Sequence, residues 1–272
     1  MLGMDGGQSI GSSRAVLRQM SALGARYMTI THSRNTPWAD SATDAPEHGG
    51  LSDFGKDVIR EMNRMGMLVD LSHVSEDAMM DALDAARAPV IFSHSGVRAI
   101  NGHARNVPDS VLARLPENGG IVMVVALPGF LNEDRRDWYA TREAVQARQE
   151  SLFQGQPGVV EAAMADWDAA NPEPATMISH MADHIDHIRD MIGVEYIGIG
   201  ADFDGMPTGP VGFEDTSGYP QLFAELARRG YSQVEMELIA SRIAIRVLRE
   251  AEAYAGRVSD MPPIETLIPT TE

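Results

Sequence analysis

Short apolar runs that end on a polar residue recur along the chain. Tyr27-Met28-Thr29-Ile30-Thr31 leads into His32, Gly66-Met67-Leu68-Val69-Asp70-Leu71-Ser72 into His73, and Ala88-Pro89-Val90-Ile91-Phe92-Ser93 into His94. Ile121-Val122-Met123-Val124-Val125 is a fourth run, and Tyr196-Ile197-Gly198-Ile199-Gly200-Ala201 leads into Asp202. Runs this continuously apolar are expected of strands buried on both faces of a parallel sheet. Amphipathic stretches separate them. Residues 12–23 carry Ala15, Val16, Gln19, Met20 and Leu23 at helical spacing, with Gly24 as a stop. Residues 54–65 and 76–86 read the same way, with Ser75 as N-cap of the second. Alternation of strand and helix predicts an α/β fold with right-handed crossovers. Polar residues gathered at the C-terminal strand ends predict a TIM-type (β/α)8 barrel, whose active site lies on that rim.

One stretch breaks the rhythm. Residues 129–175 are charged and helix-prone, with Arg135, Arg136, Trp138, Arg142 and Arg148 followed by Pro157, Pro172 and Pro174. They predict a helical insertion on the rim, a lid or cover, within a single barrel domain spanning 1–272. A Gly/Pro loop through Gly218-Tyr219-Pro220 follows Asp202, then helices at about 222–229 and 234–255 and a proline-punctuated tail. Five strands are clear and a stub ends at Asp5. An eight-stranded barrel does not close with six, so the expectation is an incomplete barrel lacking about two amino-terminal βα units.

Composition narrows the function. Against 22 Lys+Arg stand 39 Asp+Glu, a formal net charge of −17, which argues against nucleic acid or an anionic membrane face as partner. With no cysteine there is no disulfide framework, thiolate zinc site or cysteine nucleophile. No apolar run approaches the roughly 20 residues of a membrane-spanning helix. Residues 1–7 lack the basic flank and apolar stretch of a signal peptide, so the expectation is a soluble, unexported chain.

The chemistry sits at the strand ends, at Asp5, His32, His73, His94 and Asp202. His73 and His94 are 21 residues apart, one βα repeat, so neighbouring strands would present two imidazoles to one rim. That is half of a divalent-metal site, which a carboxylate could complete; the plainer reading is a strand-end histidine bonding a loop. Asp202, in Gly200-Ala201-Asp202-Phe203-Asp204-Gly205, could hold a water or take its proton, or belong to a turn, a role that suits Asp204 better. Arg105, in His103-Ala104-Arg105-Asn106-Val107-Pro108-Asp109, could clamp a substrate carboxylate or lie solvated on the surface. His180, His184 and His187 share one helix face but lack the glutamate of a zinc-protease helix, and read as a packed or solvated face.

These residues give the chain a resemblance to the membrane (renal) dipeptidase family of zinc peptidases over nearly its whole length. The likeness is carried by 2–10, by Thr29-Ile30-Thr31-His32-Ser33-Arg34-Asn35-Thr36-Pro37-Trp38-Ala39-Asp40, and by Val69-Asp70-Leu71-Ser72-His73-Val74-Ser75. It continues through Pro89-Val90-Ile91-Phe92-Ser93-His94-Ser95, Arg105-Asn106-Val107-Pro108-Asp109 and Gly200-Ala201-Asp202-Phe203-Asp204-Gly205. The resemblance implies an eight-stranded barrel of the metallo-dependent hydrolase kind. It also implies a two-zinc centre and hydrolysis of dipeptides by a metal-bound hydroxide, with tolerance for a C-terminal D-residue. Carried over, His73 and His94 bind one zinc, and Asp5 stands where the family has a bridging glutamate. His32 holds the substrate and its developing oxyanion, Arg105 its carboxylate, and Asp202 handles the proton of the nucleophile. The insertion at 129–175 resembles one seen in bacterial relatives.

Departures from the family pattern shape the expectation further. Asp5 is one methylene shorter than glutamate, Gln8 replaces a common histidine, and the His-x-Asp pair of the family's first strand has no counterpart here. One Zn2+ is therefore better supported than two. The alternatives are an inactive or mono-zinc fragment or binding module, and a related barrel amidohydrolase acting on another amide. The resemblance implies a dipeptide as partner, allows a homodimer, and includes relatives that are often exported.

Overall fold

A computed structural model describes residues 1–265. Six strands, β1 (Leu2–Asp5), β2 (Ala25–Thr29), β3 (Leu68–Asp70), β4 (Val90–Ser95), β5 (Ile121–Val124) and β6 (Ile197–Ile199), lie in one sheet in chain order. Every pairing is parallel, with β1 and β6 at the two edges. This is the barrel plan read from the sequence, with six strands. The stub ending at Asp5 is a true strand, because Asp5 pairs with Thr29 and Thr29 with Asp70.

The crossovers between the first four strands are α1 (Arg14–Ala22), α2 (Asp53–Met65) and α3 (Glu76–Ala85). Each starts where a serine leaves the helical region: Ser13, Ser52 and Ser75 accept from the backbone N–H of Val16, Gly55 and Ala78. Two short helices, α4 (Asp109–Leu112) and α5 (Leu115–Asn118), precede β5. The charged stretch after β5 forms α6 (Pro128–Leu131), α7 (Glu133–Leu152) and α8 (Pro157–Ala170), and α9 (Ile178–Ile192) leads into β6. Arg142 grips Asp168 with two bonds of 2.7 and 2.8 Å, and Trp138 packs on Trp167, so α7 and α8 form a pair. Its base is tied to the rim, where Asn101 Nδ2 donates to Gly129 O at 3.1 Å.

The last helices are α10 (Tyr219–Arg228), α11 (Gln233–Glu237) and α12 (Ile243–Arg257). A π-type turn at Leu238–Arg242 joins α11 to α12, so the helix expected at 234–255 is continuous but widened in its first half. On α12, Ile243, Val247 and Ala251 pack on Leu68, Ala88 and Ile121 at the N-terminal strand ends. Arg246 donates from there to the carbonyls of Gly119 and Glu195. One end of the sheet is thereby sealed with apolar side chains, and the polar residues collect at the other. No helix of the described residues is long and apolar enough to cross a membrane.

The histidines of α9 are spent on packing and surface contacts. His180 Nδ1 accepts from Met177 N, His187 meets Asp109 at 2.9 Å, and His184 is fully buried. His184 Nδ1 accepts from Val97 N at 2.7 Å, and its Nε2 faces Leu131 O at 3.2 Å. Burial pushes this imidazole down from 6.5 to about 4. Between those values the unfolded chain binds a proton that the folded chain refuses, so stability falls as pH drops through the window and levels off below it. The expected loss attributable to His184 is roughly 3 kcal/mol between pH 7 and 4. Urea unfolding of the wild type and of His184→Gln across that range checks it. Parallel acid limbs would show that His184 plays no part.

Candidate active site

Four side chains converge where the first four strands end. Asp5 closes β1, His32 follows β2 by three residues, His73 follows β3 by three, and His94 lies in β4. The Nε2 atoms of His73 and His94 are 2.9 Å apart. The rings of His32 and His73 stack with centroids 4.3 Å apart, and His32 Nε2 is 3.8 Å from Asp5 Oδ2. One ligand atom each from Asp5, His32 and His73 falls within 4.8 Å of the others. Asp5 and His32 face solvent while His73 is buried, so the group opens outward.

The backbone is bent to achieve this. Among the described residues three non-glycine residues have positive φ, and two are His73 (φ 74°) and Asp202 (φ 64°). Such a conformation costs about 1–2 kcal/mol per L-residue and persists only when its surroundings hold it. His73 is held by its carbonyl, which accepts from Ala42 N at 2.7 Å and lies 3.3 Å from Ser41 Oγ. Ser41 Oγ also lies 2.7 Å from His32 O, so one loop fixes both histidines. Asp40 braces that loop by accepting from the backbone N–H groups of Glu47, His48 and Gly50.

Burial pushes His73 down to about 2, helped by Arg105, His94 and His32. It also lowers His94, against the pull of Asp70. Both imidazoles are therefore neutral near pH 7. Neutral imidazoles with a carboxylate beside them are the nitrogen and oxygen donors that suit zinc, so the residues present fit a divalent cation.

Arg105 is 6% exposed and within 4 Å of no carboxylate among the described residues. Its Nη2 reaches His94 O at a long 3.4 Å, its Nε has no partner, and its guanidinium lies 5.3 Å over the Phe130 ring. Burial lowers it to about 10, opposed by Asp70, Asp202 and Asp5, so it stays cationic near neutrality. A buried guanidinium held this loosely is a place for an anion.

Asp202 follows β6 and opens the short turn Phe203–Gly205. Gly205 has no Cβ, which leaves room for the Asp202 carboxylate. Gly200 is needed for another close approach, since a β-carbon there would overlap the Ser93 carbonyl oxygen. Asp202 thus stands on the same rim, within electrostatic reach of His94 and Arg105.

The family model for membrane dipeptidases, peptidase family M19, matches residues 1–261. The chain belongs to the membrane dipeptidase family. Dipeptidase tcpJ of Claviceps purpurea is 42% identical over 265 residues, which is 97% of this chain and 53% of that protein. Among solved structures, the probable dipeptidase PvdM of Pseudomonas aeruginosa is 26% identical with a TM-score of 0.80, covering 93% of this chain and 69% of that one. A metallo peptidase of Rhodobacter sphaeroides, solved with a phosphinate mimic of the dipeptide L-Ala-D-Ala, is 25% identical with a TM-score of 0.73 over 92% of this chain and 63% of its own. The chain spans about half the length of the curated relatives it matches.

On this membrane dipeptidase rim the structure sets together what the sequence had spread over the chain, with one shift of emphasis. The family resemblance implies a substrate role for His32, yet its ring lies on His73 and its ligand atom beside that of Asp5. Sequence reasoning passed over Asp70, Ser93 and Phe130. A charged residue inside the apolar run Leu68-Val69-Asp70-Leu71 was the available signal for Asp70, which is fully buried.

Proposed function

We propose that the chain hydrolyses dipeptides, with His73, His94 and Asp5 holding zinc and His32 and Arg105 holding substrate. The observation that carries this reading is Arg105, a buried cation with no carboxylate partner among the described residues, bonded to the backbone of His94. When bound, zinc supplies Lewis-acid polarisation of the scissile carbonyl and a more acidic water. Arg105 takes the free carboxylate of the substrate in a charge-assisted pair, which fixes the distance from that carboxylate to the scissile bond and restricts the site to short substrates. Asp202 takes the proton of the attacking water and returns it to the leaving amine. His32, half exposed at the mouth, sits beside the carbonyl oxygen as negative charge grows there.

The test is a dipeptide against its C-terminal amide. With zinc supplied, the free acid is expected to turn over and the amide to be poor, mainly through KM. Arg105→Ala should erase that difference and cost the free acid about 2–5 kcal/mol in kcat/KM. Equal cleavage of acid and amide by the wild type would refute the carboxylate clamp. Turnover of a cyclic amide with no dipeptide cleaved would refute the dipeptidase reading.

A further inference from the structure

We infer that Asp70 and Ser93 are positioning residues that set the tautomer of His94, keeping its hydrogen on Nδ1 and turning a bare Nε2 toward His73. The inference deepens the reading above, since it gives His94 its ligand role.

Asp70 ends β3 with no solvent exposure, and four donors surround its carboxylate. Oδ1 accepts from the backbone N–H of Ser72 at 3.1 Å and of Ser93 at 2.9 Å. Oδ2 accepts from Thr29 Oγ1 at 2.7 Å and Ser93 Oγ at 2.6 Å. A serine hydroxyl has one hydrogen to give. The competing acceptors are Ser72 Oγ at 3.4 Å and, with no hydrogen on it, His94 Nδ1 at 2.7 Å; the charged carboxylate oxygen at 2.6 Å is nearer than either and has no hydrogen of its own, so the hydroxyl hydrogen goes to it. Ser93 Oγ can then only accept from His94 Nδ1, which lies 2.7 Å from it. With the single hydrogen of a neutral imidazole on Nδ1, His94 Nε2 is a lone pair.

The far side of the contact agrees. At 2.9 Å from a bare His94 Nε2, His73 Nε2 must carry the hydrogen between them. That leaves His73 Nδ1 as an acceptor, and this buried atom has no partner. An unmet acceptor is the cheaper orphan, since orphaned buried N–H groups are the rarer kind. His94 is therefore ready for a cation as it stands, whereas His73 must first shift its hydrogen to Nδ1.

The relay also fixes what its disruption does. In Asp70→Asn the amide oxygen must stay at the Oδ1 position, because two backbone N–H groups point there. Its NH2 then faces Ser93 Oγ, which becomes an acceptor on that side and gives its hydrogen to His94 Nδ1. The imidazole hydrogen is driven to Nε2, where it blocks the ligand position.

Nitrogen-resolved NMR of the imidazoles in the zinc-free 272-residue chain, paired with zinc affinity by chelator competition, tests this. The expected result is Nδ1–H with bare Nε2 for His94 in the wild type, inverted in Asp70→Asn, with zinc binding weakened about 10–100-fold. Ser93→Thr, which restores the hydroxyl, should keep both properties, and Thr29→Val, which removes a donor to Asp70 outside the relay, should keep the tautomer. An Nε2–H tautomer in the wild type would overturn the inference, as would a folded Asp70→Asn with tautomer and zinc affinity unchanged. A wild type with the stated tautomer and no affinity for zinc would leave the relay standing and remove the metal reading instead.

Discussion

His94→Ala is expected to lower kcat/KM for a dipeptide by at least about 10³-fold and to remove zinc from the protein. His94 brings its Nε2 to 2.9 Å from that of His73, so truncation leaves one imidazole where two had converged. Ser93 Oγ loses its 2.7 Å partner at the same time. Metal analysis beside steady-state kinetics reads both effects, and full zinc content in folded His94→Ala would show that the cation is held elsewhere. His32→Ala is the informative comparison. As a substrate group, His32 can be removed with zinc retained and catalysis impaired. As a ligand sharing the cation with Asp5 and His73, it cannot. The stacking of His32 on His73 makes that comparison necessary, because adjacency alone serves either role.

The elements of the fold were legible where one physical demand dominates. Strands buried on both faces carry apolar runs, so β2 to β6 could be read directly, with polar terminal residues on all but β5. Helix starts were legible at Ser75, whose hydroxyl caps α3. The strand at Asp5 was legible only as a stub, since the pairing of Asp5 with Thr29 is a property of register rather than composition. The same limit hid the relay. Thr29, Asp70 and Ser93 lie on three strands and meet only after β2, β3 and β4 are aligned.

The rim histidines show a second limit. Strand ends placed His32, His73 and His94 on one rim, but the approach of their rings depends on the loop held by Asp40 and Ser41, which carries little periodicity to read. Arg105 could be read as clamp or as solvated surface, and its burial, with no carboxylate partner among the described residues, sets the solvated surface aside. On α9 the shared face of three histidines was visible, while the partners that absorb His184, Val97 N and Leu131 O, come from distant loops. The metal-ligand candidates differ from these in one respect that sequence does not show. His184 has partners for both ring nitrogens, whereas His73 has one nitrogen unmet and the other on a second imidazole.

Asp202→Asn is expected to lower kcat by about 10²–10⁴-fold with KM and thermal stability nearly unchanged, because it removes a proton acceptor and preserves everything else. Asparagine matches aspartate in shape and tolerates the left-handed backbone that this position adopts at φ 64°. The carboxylate has no hydrogen-bonded partner among the described residues beyond the room that Gly205 leaves, so its removal orphans no buried group. Asp202→Ala separates catalysis from strain: the same catalytic loss should come with about 1 kcal/mol less stability, since alanine pays for positive φ without local compensation. Asp202→Gly should lose activity to the same extent while relieving the strain. Three variants with a shared kinetic defect and ordered stabilities, Ala below Asn and Gly, would assign the carboxylate to proton transfer and the backbone bend to its placement. Wild-type kcat in Asp202→Asn would move the proton acceptor elsewhere on the rim, where Asp5, exposed and 3.8 Å from His32 Nε2, is the next carboxylate to replace.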